Sequence, residues 1–169
     1  MPNSSFIRQA KNQIMADLQN DDEIVEALGL NEDEDRENLI YNRLFPFYYI
    51  ASGTQTEVKT YILVEIDITE QRQRYGSTST NIVYPTIIFT VLSHQDDMRL
   101  QLAGISAVRT DYIAELIDKK YNGKDGFGLK GLQVISNTAS SLSGTSHDVY
   151  RLRQIVFRAA DFNDSYCDG

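Results

Sequence analysis

The segment Ile82–Leu92 carries apolar side chains on both sides of a two-residue period. Val83, Ile87, Phe89 and Val91 alternate with Ile82, Tyr84, Ile88 and Leu92. A strand apolar on both faces needs cover above and below, which places it in the middle of a sheet. Pro85 cannot donate to a ladder, so the first residues of this strand belong at a margin or a bulge. Upstream, Val58, Thr60, Ile62, Val64, Ile66 and Ile68 share one face, while Lys59, Glu65, Asp67 and Thr69 occupy the other with Tyr61 and Leu63. That alternation predicts a second, half-buried strand. Between the two lies Glu70–Asn81, rich in Ser, Thr and Arg with one Gly, and it reads as a long connection.

Elsewhere the period changes to that of a helix. Phe6, Ile7, Ala10, Ile14 and Leu18 predict a helix over 5–18 with Ser4 or Ser5 as cap. A second runs from Asp22 to Leu28 and ends at Gly29. A third, opened by the acids from Glu32 onward, holds Leu39, Ile40, Arg43 and Leu44 and stops at Pro46. After a polar bend at His94–Arg99, the stripe Ile113, Leu116, Ile117 and Tyr121 predicts a helix over 109–121, with Ser106 and Thr110 as candidate caps and Gly123 closing it. Strands over 129–136 and 148–157 follow, joined by the Ser-, Thr- and Gly-rich stretch 137–147. The order predicts an α+β fold: a mostly antiparallel sheet of about four strands with helices packed on one face and an N-terminal helical unit. Residues 1–45 form that acidic unit and 46–169 the sheet domain, in one continuous globular body. At 169 residues the chain is long enough to bury roughly 70% of its unfolded surface.

Charge narrows the function. The net charge is −8, and the segment from Asp17 to Glu37 alone holds ten carboxylates against one base, Arg36. The rest of the chain is therefore close to neutral. An acidic balance of this kind argues against general or sequence-specific nucleic-acid binding, which rests on clustered Lys and Arg. The single cysteine, Cys167, leaves no intrachain disulfide and suits a reducing compartment. No apolar run approaches the roughly 20 residues of a membrane span, so no membrane partner is expected.

Enzyme signatures fail on context. Gly126, Gly128 and Gly131 spell G-x-G-x-x-G, yet they follow a helix and precede a strand, the reverse of a dinucleotide-binding turn, and read as a structural turn. Asn31, Asp33 and Asp35 imitate the start of a calcium loop, but Arg36 stands where Gly is needed and Asn42 where a bidentate Glu is needed. His94 with Asp96 or Asp97 is a conceivable metal site that lacks a second local His. Ser146, His147 and Asp148 have the residue types of a hydrolytic triad, without the last glycine of a nucleophile elbow. No cofactor and no enzymatic activity are expected. The competing reading is a small metal-dependent hydrolase using His94.

Arg109-Thr110-Asp111-Tyr112-Ile113-Ala114 opening a helix, Leu129, Leu132, Val134 and Ser136, then Tyr150-Arg151, Arg153 and Phe157 and a closing Asp161-Phe162-Asn163 form a pattern. With Leu44-Phe45-Pro46 and the strand Thr60–Ile68, it resembles the tail-terminator (tail-completion) and related neck proteins of long-tailed bacteriophages and prophages. The resemblance covers about Leu39 to Asn163. It implies a small subunit without catalytic residues that forms a ring, commonly a hexamer, at the head-proximal end of the tail. There it would end tail-tube growth and join tail to head, with the tail-tube protein and a head connector or neck protein as partners. A neck head-completion or connector protein is the nearest alternative. The place implied is the virion, after assembly in the host cytoplasm. Candidate contact residues are Arg72 and Arg74 in the long connection, His94, Asp97 and Arg99 in the bend, and Arg151 and Arg153 two apart on the last strand. The charge split between the N-terminal block and the arginines offers two complementary patches, as a head-to-tail ring requires.

Overall fold

The structure, a computed structural model, describes residues 4–30, 36–48, 57–75, 78–141, 150–159 and 161–162. Helix α1 spans Ser4–Gln19 and α2 spans Asp22–Ala27, with the Asp21 carboxylate accepting from the Ile24 N–H at 3.1 Å as its cap. Strand β1 is Leu44–Phe45, β2 is Thr60–Tyr75, β3 is Thr78–His94, β4 is Arg99–Leu102 and β5 is Ile105–Val108. Helix α3 is Arg109–Tyr121, followed by β6 (Leu129–Lys130), β7 (Gln133–Ser141), β8 (Tyr150–Arg158) and β9 (Asp161–Phe162). The fold is α+β. Its main sheet has five strands in the order β1-β2-β3-β8-β7, parallel only between β1 and β2.

β3 takes the central place that its two apolar faces require. On the helix side, Ile62 lies opposite Val91, Val64 opposite Phe89 and Ile66 opposite Ile87. Beyond them Phe89 faces Ile155 and Ile87 faces Phe157. These residues join Phe6, Ile14 and Leu18 of α1, Ile24 of α2, and Ile113 and Ile117 of α3 in one buried cluster. Each large side chain so buried contributes about 1.5–3 kcal/mol relative to exposure. Phe89 is the hub, stacked on Tyr121 at 5.4 Å and edge-on to Phe157 at 5.7 Å. The opposite face carries a smaller buried set, Phe45, Leu63, Leu92 and Tyr150. Pro85 sits where β8 has just ended: β8 pairs up to Thr86↔Arg158, and the Pro85 carbonyl accepts from the Ala159 N–H at 3.2 Å.

Five elements differ from the sequence expectation. The supposed connection Glu70–Asn81 continues the two strands instead. β2 and β3 pair without a slip from Thr60↔Ser93 to Tyr75↔Thr78, because the backbones of Thr, Gln and Arg pair in a ladder as readily as they form a loop. The third helix is absent. Arg36–Asn38 make one 3-10 turn, the Arg43 and Leu44 N–H groups both bond the Leu39 carbonyl, and Leu44 enters the sheet beside Ile62. Tyr41, at φ 66°, breaks any helix there. β4 and β5 form an unexpected hairpin turning at Gly104 (φ +81°). The expected strand 129–136 divides at Gly131 (φ 61°): β6 pairs with β9, while β7 joins the main sheet and runs on to Ser141. Helix α3 begins after Val108 with no side-chain cap, so neither Ser106 nor Thr110 acts as one. The calcium-like positions Asn31, Asp33 and Asp35, and the Ser146-His147-Asp148 trio, lie outside the described residues.

The Tyr121 hydroxyl is buried without a hydrogen-bond partner. Burial, reinforced by the charges of Asp17 and Asp21, pushes its ionisation well above that of a free phenol. Below about pH 10 the folded and unfolded chains both keep this proton. Above it the unfolded chain releases the proton first, so stability falls as pH rises. Tyr121→Phe removes the unpaired hydroxyl. It should leave stability at neutral pH unchanged or raise it by about 1 kcal/mol, and it should flatten the alkaline fall in urea denaturation. A loss of more than about 1 kcal/mol would contradict the unpaired hydroxyl.

Candidate functional site

The bend after β3 is braced from within. His94, 5% exposed, accepts the Asp96 N–H on Nδ1 at 3.2 Å and so caps the 3-10 turn Gln95–Asp97. Its ring meets Tyr150 edge-on at 5.3 Å. The Asp97 carboxylate accepts from Thr60 Oγ1 at 2.6 Å and faces Arg109 Nη2 at 3.2 Å, while Thr60 Oγ1 and Ser93 Oγ lie 2.7 Å apart. Arg109 also donates from Nε to the Asp97 carbonyl at 2.6 Å and from Nη1 to the Ala27 carbonyl at the end of α2. One guanidinium thus ties α2, α3, the bend and, through Asp97, β2. Gly29, at φ +80°, leaves room for it, since a Cβ there would stand 3.3 Å from Nη1.

Of the residues singled out in sequence, the structure brings His94 and Asp97 together in this brace, with Arg151 on β8 opposite Ser93. Arg153 clamps α3 to the sheet, donating to the Asp111 carboxylate at 2.6 Å and to Asn137 Oδ1 at 2.8 Å. Arg99 opens β4 on the exposed surface. Arg72 and Arg74 stand apart from all of these, on the ribbon at the register positions of Asn81 and Ser79.

The metal and nucleotide readings find little geometry. Among the described residues no group of three or more His, Cys, Asp or Glu side chains is placed to hold an ion. The glycine motif makes a tight hairpin: Gly126 and Leu129 exchange backbone bonds of 2.9 and 2.8 Å around Phe127 (φ 57°) and Gly128 (φ 75°), and β6 follows it. Beside it a cleft of about 480 Å³ mixes signs, with Lys120 and Lys124 against Asp17 and Asp125. Lys120 is already bonded to Asp21 at 2.7 Å.

A different surface stands out at the β1 margin of the sheet. Tyr41 is 66% exposed and Tyr48 49%. Tyr41 lies 6.3 Å from Phe47, which packs edge-on to Phe45 at 5.8 Å. Holding a bulky residue at positive φ costs about 1–3 kcal/mol. Tyr41 keeps that conformation through its N–H bond to the Leu44 carbonyl at 2.8 Å. At the far margin β7 exposes Ile135, at the bulge between Val134 and Ser136.

A model of the YomW family matches residues 18–159, from within α1 to the end of β8 and so across the whole main sheet. The chain belongs to the YomW family. YomW is a Bacillus prophage-type family, and this member is a phage-associated protein. Nothing among curated proteins matches it. No helix of the YomW chain, among its described residues, is long and apolar enough to cross a membrane.

Sequence reasoning missed Arg109, Tyr41, Tyr48 and Ile135. The aromatic run Phe45-Pro46-Phe47-Tyr48-Tyr49 was a signal for the margin, because so many rings around a proline exceed what a short edge can bury. Arg109 gave no signal beyond opening a helix.

The brace makes a graded prediction for this YomW protein. Arg109→Ala strips the Asp97 carboxylate of its cation, leaving it only the Thr60 hydroxyl, removes the Ala27 carbonyl's guanidinium donor, and should cost about 3 kcal/mol in urea denaturation. Gly29→Ala should cost more than about 1 kcal/mol, since it meets both the positive φ and the guanidinium. Gly104→Ala, at a similar φ with nothing within 4 Å, should cost less than Gly29→Ala. Equal losses at the two glycines would show that Arg109 does not pack on Gly29.

Proposed function

We propose that this chain is a structural, non-enzymatic subunit of the phage tail or neck. It forms a ring, commonly a hexamer, at the head-proximal end of the tail, stops growth of the tail tube and joins the tail to the head connector. The observation that carries this reading is the β2–β3 ribbon. β8 leaves β3 at Thr86, and the two strands then continue together for eight residue pairs, from Ile68↔Pro85 to Tyr75↔Thr78. That is about 25 Å of two-stranded ribbon beyond the five-stranded sheet. Among the described residues no third strand pairs with it, and a two-stranded ribbon is marginal in water, so it gains by lying on another molecule. Arg72 and Arg74 lie on it at the register positions of Asn81 and Ser79.

Other features support the same role. The sheet is backed by helices on one face and braced at the bend by Arg109, which makes a stiff block suited to load. His94 is engaged with Asp96 and Tyr150, and Asp97 with Arg109 and Thr60, so the residues of the competing hydrolase reading already have structural work. The net charge of −8 keeps free subunits apart and in solution until specific contacts form.

The test is to disrupt the gene in the phage that encodes it and view the particles by electron microscopy. The expected result is tails of irregular length that are not joined to heads, restored by the intact gene supplied in trans. Tails of normal length on filled heads would contradict the role.

A further inference from the structure

The two lateral margins of the main sheet differ in kind. At one end β7 is paired only with β8 among the described residues. Its nine residues, Gln133–Ser141, contain no charged side chain and no proline, and most are exposed. Edge strands in solitary proteins are usually blunted by Lys, Pro or a covering element. Here the one such device is the bulge between Val134 and Ser136, which leaves Asn137–Ser141 regular. At the other end β1 covers β2 only at Ile62 and Leu63. Next to it stand the exposed rings of Tyr41 and Tyr48, with Tyr41 fixed outward by its backbone bond and so ordered before any partner arrives.

We propose that these margins are the two halves of one head-to-tail interface, the Tyr41–Tyr48 margin of one copy seating against the β7 edge of the next. This deepens the ring reading above and rests on it. Two observations select a second copy of this chain as the occupant. The first is electrostatic. Two copies each carrying −8 repel wherever the exposed acids of α2, Asp22, Glu23 and Glu26, approach one another. The margins carry less of that charge: β7 has none, and at the aromatic margin Glu65 is neutralised internally while Asp67 stays exposed farther along β2. Glu65 is paired with Lys11 at 2.7 Å and also accepts the Tyr48 N–H at 2.8 Å. The second is geometric. The patches are different and lie at opposite ends of one sheet, so pairing them repeats in one sense instead of ending at a two-fold dimer, as a ring requires. The β7 edge supplies Ile135 and backbone groups that no described residue pairs, and the partner margin supplies rings and the outer edge of β2.

The test uses the full chain with Cys167→Ser and a short thiol-to-thiol cross-linker. With Tyr48→Cys and Thr138→Cys in the same chain, the expected product is a ladder of covalent oligomers that ends at one closed species. Mixing the two single variants should give a cross-linked pair and nothing larger, and either single variant alone should stay uncrosslinked. Thr138→Lys should weaken self-association at least tenfold by native mass spectrometry without lowering the melting temperature. Efficient dimers from Tyr48→Cys alone would overturn the proposal in favour of a two-fold contact. So would yields no higher than from a control Glu23→Cys, or a chain that stays monomeric at high concentration. A chain that stays monomeric in solution yet is still required for tail length would sink this interface while leaving the proposed function standing.

Discussion

The register of β2 on β3, with Ile62 opposite Val91 and Val64 opposite Phe89, decides which side of every strand reaches the helices. A slip of one residue would send Ile62, Val64 and Ile66 to the opposite face and bring Tyr61, Glu65 and Asp67 against α1 and α3. The apolar content of β3 forbids that, since its helix-side residues Ile87, Phe89 and Val91 are fully buried and match the partners they have. Because the pairing is continuous to Tyr75↔Thr78, the same register also fixes where the ribbon leaves the body. Core packing and the projecting arm are therefore consequences of one alignment.

Arg109 turns that sheet into a stiff block. It is a buried cation whose donors meet the Ala27 carbonyl, the Asp97 carbonyl and the Asp97 carboxylate, so the helical layer and the bend cannot move independently. Arg153 does a similar service at the same first turn of α3, tying Asp111 to β7 through Asn137. Arginines that looked like surface contacts or went unnoticed in the sequence thus divide into braces, such as Arg109 and Arg153, and exposed groups, such as Arg99 and Arg151. Such bracing suits the proposed role in assembly, because a pre-ordered surface loses little entropy on binding.

The parts legible in sequence were those written in side-chain period. The alternation through Thr60–Ile68, the two-faced run to Leu92, the stripe of α3 and the helix of Phe6, Ile14 and Leu18 each translate directly into an element. Polar strands were not legible, because Thr69–Tyr75 and Thr78–Asn81 lack an apolar face and their pairing comes from hydrogen bonds that every residue can make. Ile40 and Leu44 misled for the opposite reason: they stand four apart, as on one face of a helix, but Leu44 reaches the core through a tight turn and a parallel bridge to Ile40. The candidate site suffered likewise. Contacts were sought among charges in loops, whereas the surfaces that stand open are an uncharged strand edge and a group of rings beside a two-residue strand.

The proposed assembly has a rigid, helix-backed sheet present its margins to neighbouring copies, and amide hydrogen exchange on the free chain and on the same chain within assembled phage particles tests it. Added protection is expected in β7 and around Tyr41–Tyr48 on assembly, with the Ile87–Leu92 core equally slow in both states. Protection gained instead on the exposed faces of α1 and α2, with both margins unchanged, would contradict it.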